Sequence, residues 1–182
     1  MIETHEGKSA KYRFSGHQTF TFRYGWLEKG SRAVAAPNGA SALSADDALV
    51  RLGVGKNMVD SIRYWCLVTQ MLQPDSSAKR PSERELEPTP IGRKLLLEPG
   101  WDPFLEDDAS LWLVHWLLVS NPRIVTTWQI VFSAFQRPDA TKRDIVDFVA
   151  GFAEKHGAKI TEASLGREEA QIKSARFFQD DK

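Results

Sequence analysis

The sequence has few of the residues that build disulfide or metal-centred folds. Among its 182 residues there is one cysteine, Cys66, and there are four histidines. A single cysteine cannot form an internal disulfide, and the scattered histidines lack the spacing of zinc ligands. These counts exclude a disulfide scaffold and a structural zinc site.

Long hydrophobic runs are absent as well. No apolar stretch reaches the roughly 20 residues that a membrane-spanning helix needs. The opening MIETHEGKSAKYRF lacks the apolar segment of a secretory signal. Hydrophobic residues still make up 42% of the chain, which is enough for a core in one domain or two small ones. We therefore expect a folded cytoplasmic protein with no membrane partner.

The formal net charge is zero, yet the charges are unevenly distributed. Residues 8–32 contain six basic residues and one acidic residue, and residues 51–94 contain eight basic and five acidic residues. The segment 98–108 holds five acidic residues and no basic one. A neutral protein can carry a basic face that binds polyanions. The alternative is ordinary solvated surface charge.

The first half of the chain has capping residues, a glycine turn and apolar spacing in the order typical of a helix-turn-helix. Ser44 is suited to cap a short helix that ends at LGVGK, where glycines permit a tight turn. In the following KNMVDSIRYWCLVTQML, apolar residues recur at helical spacing. A basic tip, an extended ELEPT and a helix at PIGRKLLL come next, with Thr89 as N-cap and Pro90 in the first helical position.

This order predicts a mainly α protein with a small β wing, in which a winged helix-turn-helix module packs on a helical bundle. We assign the aromatic-rich N-terminal segment and the winged helix to one domain, residues 13–97. Residues 98–182 are predicted to form a helical domain. Because the chain stops soon after Phe177 and Phe178, which are typical core residues, we expect this domain to be truncated at its C-terminal end.

Two features of the second half allow a structural and a functional interpretation. The run LWLVHWLL is apolar almost all round, which predicts a buried helix with His115 as a hydrogen-bonded core residue rather than a ligand. The acidic cluster Glu106–Asp108 suits the positive end of that helix better than it suits a metal ion.

Farther along, Thr141 and Gly157 are expected to begin and end a further helix.

The winged-helix interpretation identifies candidate contacts with DNA. The second helix of the helix-turn-helix would enter the major groove of DNA, and the wing would neutralise DNA phosphates. The groove candidates are Lys56, Asn57, Ser61 and Tyr64, and the wing candidates are Lys79, Arg80 and Arg84. The alternative is that Lys56 and Asn57 only cap and solubilise a helix, in a module that docks onto protein.

Four phrases of the sequence together resemble a known family. They are GHQTFTFRYGWLEKG, LGVGKNMVDSIRYW, PTPIGRKLL and WDPFLEDDASLWLVHWLL. They are similar to a bacterial family first catalogued as domain of unknown function 4007, the SspB-like family. The likeness runs along most of the chain, and its most specific part is residues 16–26.

The resemblance implies a DNA-binding subunit of the Ssp system, which replaces a non-bridging phosphate oxygen of DNA by sulfur and defends against phage. It also implies strand nicking, with a divalent cation, magnesium or manganese, if the chain nicks DNA. The implied partners are double-stranded DNA, an ATPase, a sulfur-transfer subunit and a cysteine desulfurase; a second copy of the chain is a further candidate. A noncatalytic winged-helix regulator or a protein-docking adaptor is the alternative.

No recognisable nuclease motif accompanies this expectation. In FSGHQTFTFRYGWLEKG, alternating and helical spacing meet near Thr21, which predicts a loop followed by a helix from Phe22 to Ala35. His17, Gln18 and Arg23 form the candidate catalytic set, because they combine a general base, an amide and a phosphate-binding cation. Alternatively, His17 and Gln18 tie the loop to the winged domain by hydrogen bonds.

Overall fold

The computed structural model describes residues 11–14, 20–77, 84–121, 124–137, 139–158, 160, 161, 164 and 166. These residues contain seven α-helices and four short β-strands. The helices are α1 (Tyr24–Ala35), α2 (Ala48–Leu52), α3 (Lys56–Val68), α4 (Pro90–Leu96), α5 (Asp108–Val119), α6 (Thr127–Ala134) and α7 (Lys142–Lys155). The strands are β1 (Lys11–Tyr12), β2 (Leu72–Pro74), β3 (Leu86–Pro88) and β4 (Ile124–Val125).

The mainly helical fold with a small antiparallel hairpin is confirmed. Its finer description as a winged helix stays a prediction. The described residues form two compact units, one within Phe22–Leu118 and a second within residues 1–21 and 119–182. The predicted domain boundary between residues 97 and 98 lies inside the first unit and also stays a prediction. Among the described residues, no helix is both long enough and apolar enough to cross a membrane.

Helix α1 lies against α3 at a point where only glycine fits. A Cβ atom on Gly30 would stand 2.6 Å from the Cys66 Sγ atom and 2.8 Å from the Ile62 Cγ2 atom. Both Cys66 and Ile62 are fully buried, so neither side chain can retreat into solvent. The close approach brings the backbone of α1 onto the centre of the core, and the predicted helix from Phe22 to Ala35 is confirmed to within two residues.

The turn between α2 and α3 follows the glycine pattern. Gly53 ends α2 in the left-handed conformation, with φ of 62°, which a residue with a side chain rarely adopts. The expected N-cap of α2 is wrong, because Asp47 and not Ser44 holds that position. The Ser44 hydroxyl instead donates to the carbonyl oxygens of Ser41 and Arg84.

The hairpin and the helix after it agree with the sequence prediction. Strands β2 and β3 pair antiparallel, with Gln73 opposite Glu87. The Thr89 hydroxyl accepts a hydrogen bond from the Gly92 amide at 3.0 Å and caps α4, with Pro90 at its first position. The same hydroxyl donates to the Gln70 carbonyl oxygen at 2.7 Å, so one side chain joins the helix to the start of the hairpin.

The second unit is built around a separate small core. Phe14, Ile130, Val149 and Ala153 are its buried members. Strands β1 and β4 pair in parallel although more than a hundred residues separate them in sequence. Thr141 begins α7 with a capping box shared with Asp144, and Gly157 follows the helix with φ of 65°; both ends of this helix agree with the prediction. Most of the predicted last helix lies outside the described residues.

Helix α5 differs from its prediction. Its apolar sequence predicted burial on every side, but Trp112 and Trp116 are exposed, and only Ser110, Val114, Leu117 and Leu118 are buried. The expectation of a buried core histidine also needs correction, because His115 is only half-buried. Its ring meets the Trp112 ring edge to face at a centroid distance of 5.9 Å. Partial burial lowers the pKa of His115.

Candidate nucleic-acid interface

The first turn of α3 presents two of the predicted DNA contacts to solvent. Lys56 and Asn57 are the first two residues of the helix, and both are exposed. The N-cap is Gly55, which has no side chain to accept a hydrogen bond, and the first turn holds no acidic residue. The amides of this turn therefore keep the partial positive charge of a helix N-terminus beside the Lys56 ammonium group. A phosphate group suits such a position.

Two other predicted groove contacts are buried, which corrects the expectation that their side chains face a DNA groove. Ser61 is 0% exposed and Tyr64 is 3% exposed. The helical spacing of apolar residues predicted that α3 buries one side only, whereas α3 is a central helix that contacts α1, α2 and β2. Nearly every residue from Val59 onward is buried as a result. In this conformation, only the N-terminal turn of α3 offers the predicted residues to a ligand.

The hairpin carries the wing candidates, of which Arg84 is described. Arg84 is exposed just before β3, and its carbonyl oxygen accepts a hydrogen bond from the Ser44 hydroxyl at 2.7 Å. The Leu86 amide donates to the Ala40 carbonyl oxygen at 2.7 Å. The strand beside Arg84 is therefore fastened to the loop between α1 and α2. Lys79 and Arg80 lie outside the described residues.

A carboxylate holds the base of this hairpin together. One oxygen of Glu87 accepts hydrogen bonds from the Gln73 amide nitrogen at 3.0 Å and from the Ser76 hydroxyl at 2.9 Å and amide at 3.2 Å. Bonds from the Ser76 hydroxyl and amide lower the pKa of Glu87. Next to it, Asp75 accepts from the Ser77 amide and hydroxyl. These bonds order the segment that leads from β2 toward the basic tip.

Only one member of the candidate catalytic set is described. Arg23 precedes α1 as its N-cap residue and is exposed, with its guanidinium group 5.2 Å from the centroid of the Trp26 ring. His17 and Gln18 lie outside the described residues. The proximity of the three side chains therefore stays a prediction.

Acidic side chains before α5 accept backbone hydrogen bonds that hold the start of this helix. Asp102 accepts hydrogen bonds from the amides of Glu106 at 3.0 Å and Asp107 at 2.9 Å. Burial raises the pKa of Asp102, but these bonds outweigh it, and the net pKa lies below the usual value. Asp107 in turn accepts from the Ala109 amide at 2.8 Å, and Asp108 opens the helix. In the part of the chain that the structure describes, no group of three or more acidic, histidine or cysteine side chains could hold a metal ion.

Sequence reasoning missed the exposed tryptophans of α5. The helix has hydrophobic residues on all sides, so its polarity gives no sign of which side faces water. The signal that was available is the spacing of Trp112 and Trp116, four residues apart and in line with the acidic Asp108.

The described elements define a mainly helical protein in which the antiparallel hairpin β2–β3 lies between α3 and the capped helix α4. Residues 14–173 match the family described as "Protein of unknown function (DUF4007)". The chain belongs to this family. No match is found among curated proteins.

Two solved structures share the fold over most of this chain. One is described as a magnesium ion-bound SspB crystal structure; it is 33% identical, with a TM-score of 0.76, over 89% of this chain and 49% of that one. The other is described as an SspB crystal structure; it is 31% identical, also with a TM-score of 0.76, over 93% of this chain and 53% of that one. The resemblance to SspB is thus confirmed, and this chain spans about half the length of those proteins.

Proposed function

We propose that this chain is a DNA-binding subunit of a bacterial DNA phosphorothioate modification and anti-phage system, working in the cytoplasm. The likeness to SspB supports the choice of system. The observation that carries DNA binding is the first turn of α3, where exposed Lys56 and Asn57 adjoin amides that no side chain caps. Partners in this proposal are double-stranded DNA, the other Ssp subunits and a second copy of the chain.

The proposed interface is mainly electrostatic. Lys56 and the helix N-terminus would bind one phosphate, while Arg84, Lys79 and Arg80 of the hairpin would bind others. The winged-helix interpretation is part of this proposal, with the hairpin as the wing. Hydrogen bonds at Glu87 and Ser44 support it, because they order the base of the hairpin, and a preordered base loses less entropy on binding.

Few predicted residues remain to read base edges. With Ser61 and Tyr64 buried, Asn57 is the one exposed amide in the predicted groove set. A regulator that selects its operator needs roughly 4 kcal/mol or more of discrimination over random DNA. The proposal therefore favours a subunit with little sequence preference of its own over a transcription regulator.

Strand nicking is the finer part of the proposal. Its candidate residues are His17 as general base, Gln18 as a hydrogen-bonding amide and Arg23 as a phosphate ligand. One SspB structure is described as bound to magnesium, and magnesium or manganese is the proposed cofactor. The described residues do not supply a cluster that fits such an ion, so we derive no step of the reaction through it.

A supercoiled-plasmid assay tests both levels of the proposal. The 182-residue chain is incubated with plasmid, with and without magnesium or manganese, and scored for open circles and for gel shift. His17→Ala is compared with His156→Ala, an exposed histidine at the end of α7. Metal-dependent open circles lost only in His17→Ala support nicking by this chain.

The other outcomes separate the parts of the proposal. Shifted but intact plasmid supports DNA binding and assigns the chemistry to another protein or another part of a longer chain. If the plasmid is neither shifted nor converted to open circles, the result contradicts the proposal and favours a docking adaptor. The exposed tryptophans of α5 are the observation that makes the adaptor the second candidate.

A further inference from the structure

Helix α5 exposes a line of side chains that runs along one face. Trp112 is 61% exposed and Trp116 is 60% exposed. They lie one helical turn apart, roughly 6 Å along the axis, so their indole rings are neighbours on the surface. Asp108, one turn earlier in the same line, is exposed too. The buried residues of α5 lie on the opposite side.

This arrangement is unusual for the surface of a folded domain. A surface helix normally turns its apolar stripe inward and its charged residues outward. In α5, the outward face is aromatic, and each exposed indole is a large apolar area in contact with water. Tryptophan is among the residue types most enriched at the energetic centres of protein interfaces. The outward face of α5 therefore has the composition of a protein-binding surface.

Charge indicates which kind of partner fits. Glu106, Asp107 and Asp108 are all exposed at the N-terminal end of the line, and the segment 98–108 contains no basic residue. The amides of Glu106 and Asp107 are held by the Asp102 carboxylate, so the acidic end has a fixed backbone. A polyanion would be repelled here, whereas lysine and arginine side chains would be attracted.

We propose that Trp112, Trp116 and the acidic residues Glu106–Asp108 form a docking surface for a basic amphipathic helix of a partner protein. The apolar residues of that helix, at i and i+4 or i+3, would cover the two indole rings. Its lysine or arginine residues would face the acidic end of α5. This surface does not depend on DNA binding, and its test involves no nucleic acid.

The test uses a synthetic helical peptide as the probe. Three repeats of LKKLLKL, labelled with a fluorophore, are titrated with the 182-residue chain, and anisotropy is recorded. A peptide of LEELLEL repeats has the same apolar face with the opposite charge. We expect the lysine peptide to bind and the glutamate peptide to bind at least tenfold more weakly, because Glu106–Asp108 repel it.

Variants locate the binding on α5. Trp112→Ala with Trp116→Ala should weaken binding roughly thirtyfold or more, the loss expected for interface hot spots. Phe132→Ala is the matched control, since Phe132 is an exposed aromatic residue on α6; it should leave the affinity unchanged. Glu106→Gln with Asp108→Asn should weaken binding severalfold and lessen its dependence on salt. Thermal unfolding of each variant checks that it is folded.

Three results would overturn the proposal. The first is equal affinity of the wild type and the double tryptophan variant for the lysine peptide. The second is equal binding of the lysine and glutamate peptides. The third is a wild-type dimer in sedimentation that Trp116→Ala converts to monomer, since a second copy of the chain would then be the occupant.

Discussion

Replacing Gly30 by alanine should destabilise the unit Phe22–Leu118 by about 2 kcal/mol, a net of two opposing effects. The new Cβ atom would stand 2.6 Å from the Cys66 Sγ atom and 2.8 Å from the Ile62 Cγ2 atom, and both are fully buried. Overpacking of this kind costs up to about 3 kcal/mol. Alanine recovers about 1 kcal/mol of helix propensity.

Gly25 provides the matched control in the same helix. A Cβ atom on Gly25 would meet nothing within 4 Å, so Gly25→Ala should stabilise by about 0.5 to 1 kcal/mol. Urea unfolding measures both variants. With a slope of roughly 2 kcal/mol per molar urea, the midpoint of Gly30→Ala should fall by about 1 M at an unchanged slope.

A second substitution tests the cause of the loss. Cys66→Ala removes the sulfur atom that the new Cβ would touch, so the double variant should show a coupling energy of about 0.5 kcal/mol or more. If Gly30→Ala unfolds at the same urea concentration as Gly25→Ala, the close packing of α1 on α3 is refuted.

Three further predictions concern single side chains. Thr89→Ala should lower the free energy of unfolding by about 1 to 2 kcal/mol, because it removes the cap on the Gly92 amide and the hydrogen bond to the Gln70 carbonyl oxygen. Thr89→Ser keeps the hydroxyl and should restore most of the lost stability in thermal unfolding. An unchanged thermal midpoint in Thr89→Ala would contradict the capping role of Thr89. The pKa of Glu87 is lowered from its ordinary 4.5, so its ionised form stabilises the fold above about pH 4.5, and this contribution is lost as the pH falls through the lowered pKa. The difference in unfolding free energy between the wild type and Glu87→Gln should therefore shrink from about pH 6 to pH 3. A difference that grows over this range would contradict the prediction. Burial raises the pKa of the Cys66 thiol, so a thiol-specific reagent should label Cys66 only when the protein unfolds; rapid labelling of the native protein would refute its burial.

Local signals in the sequence predicted several elements correctly. Thr89 before a proline, Thr141 three residues before an acidic residue and Gly53 after a short apolar run each act within one helical turn. Such signals depend on neighbours in sequence, and so they can be recognised without the fold. The start of α4, both ends of α7 and the break after α2 are of this kind.

Longer-range contacts could not be predicted in the same way. Strands β1 and β4 have two residues each, too few for alternation to be visible, and their pairing joins distant parts of the chain. Ser61 and Tyr64 are polar, yet α3 is surrounded by other elements and buries both. Periodicity assigns one inner face to a helix, and a central helix has several.

The candidate site was predictable to a similar degree. The exposure of Lys56 and Asn57 follows from their location in the first turn of α3, which a glycine signal predicted. The outward face of α5 was hidden because its residues are apolar on every side. For the neighbouring acidic residues Glu106–Asp108, the sequence predicts a helix-terminal role, which Asp107 and Asp108 do have.

The most direct test of the central claim is the affinity of the chain for a duplex of about 30 base pairs, measured by fluorescence anisotropy over a series of salt concentrations. The logarithm of the binding constant should fall linearly with the logarithm of salt, and the slope should lessen by about 0.9 in Lys56→Ala and by about 1.8 in Lys79→Ala with Arg80→Ala. Arg143→Ala, a loss of an exposed cation on α7, should not change the slope. Absence of binding at low salt, or one slope shared by all four proteins, would contradict DNA binding through α3 and the hairpin.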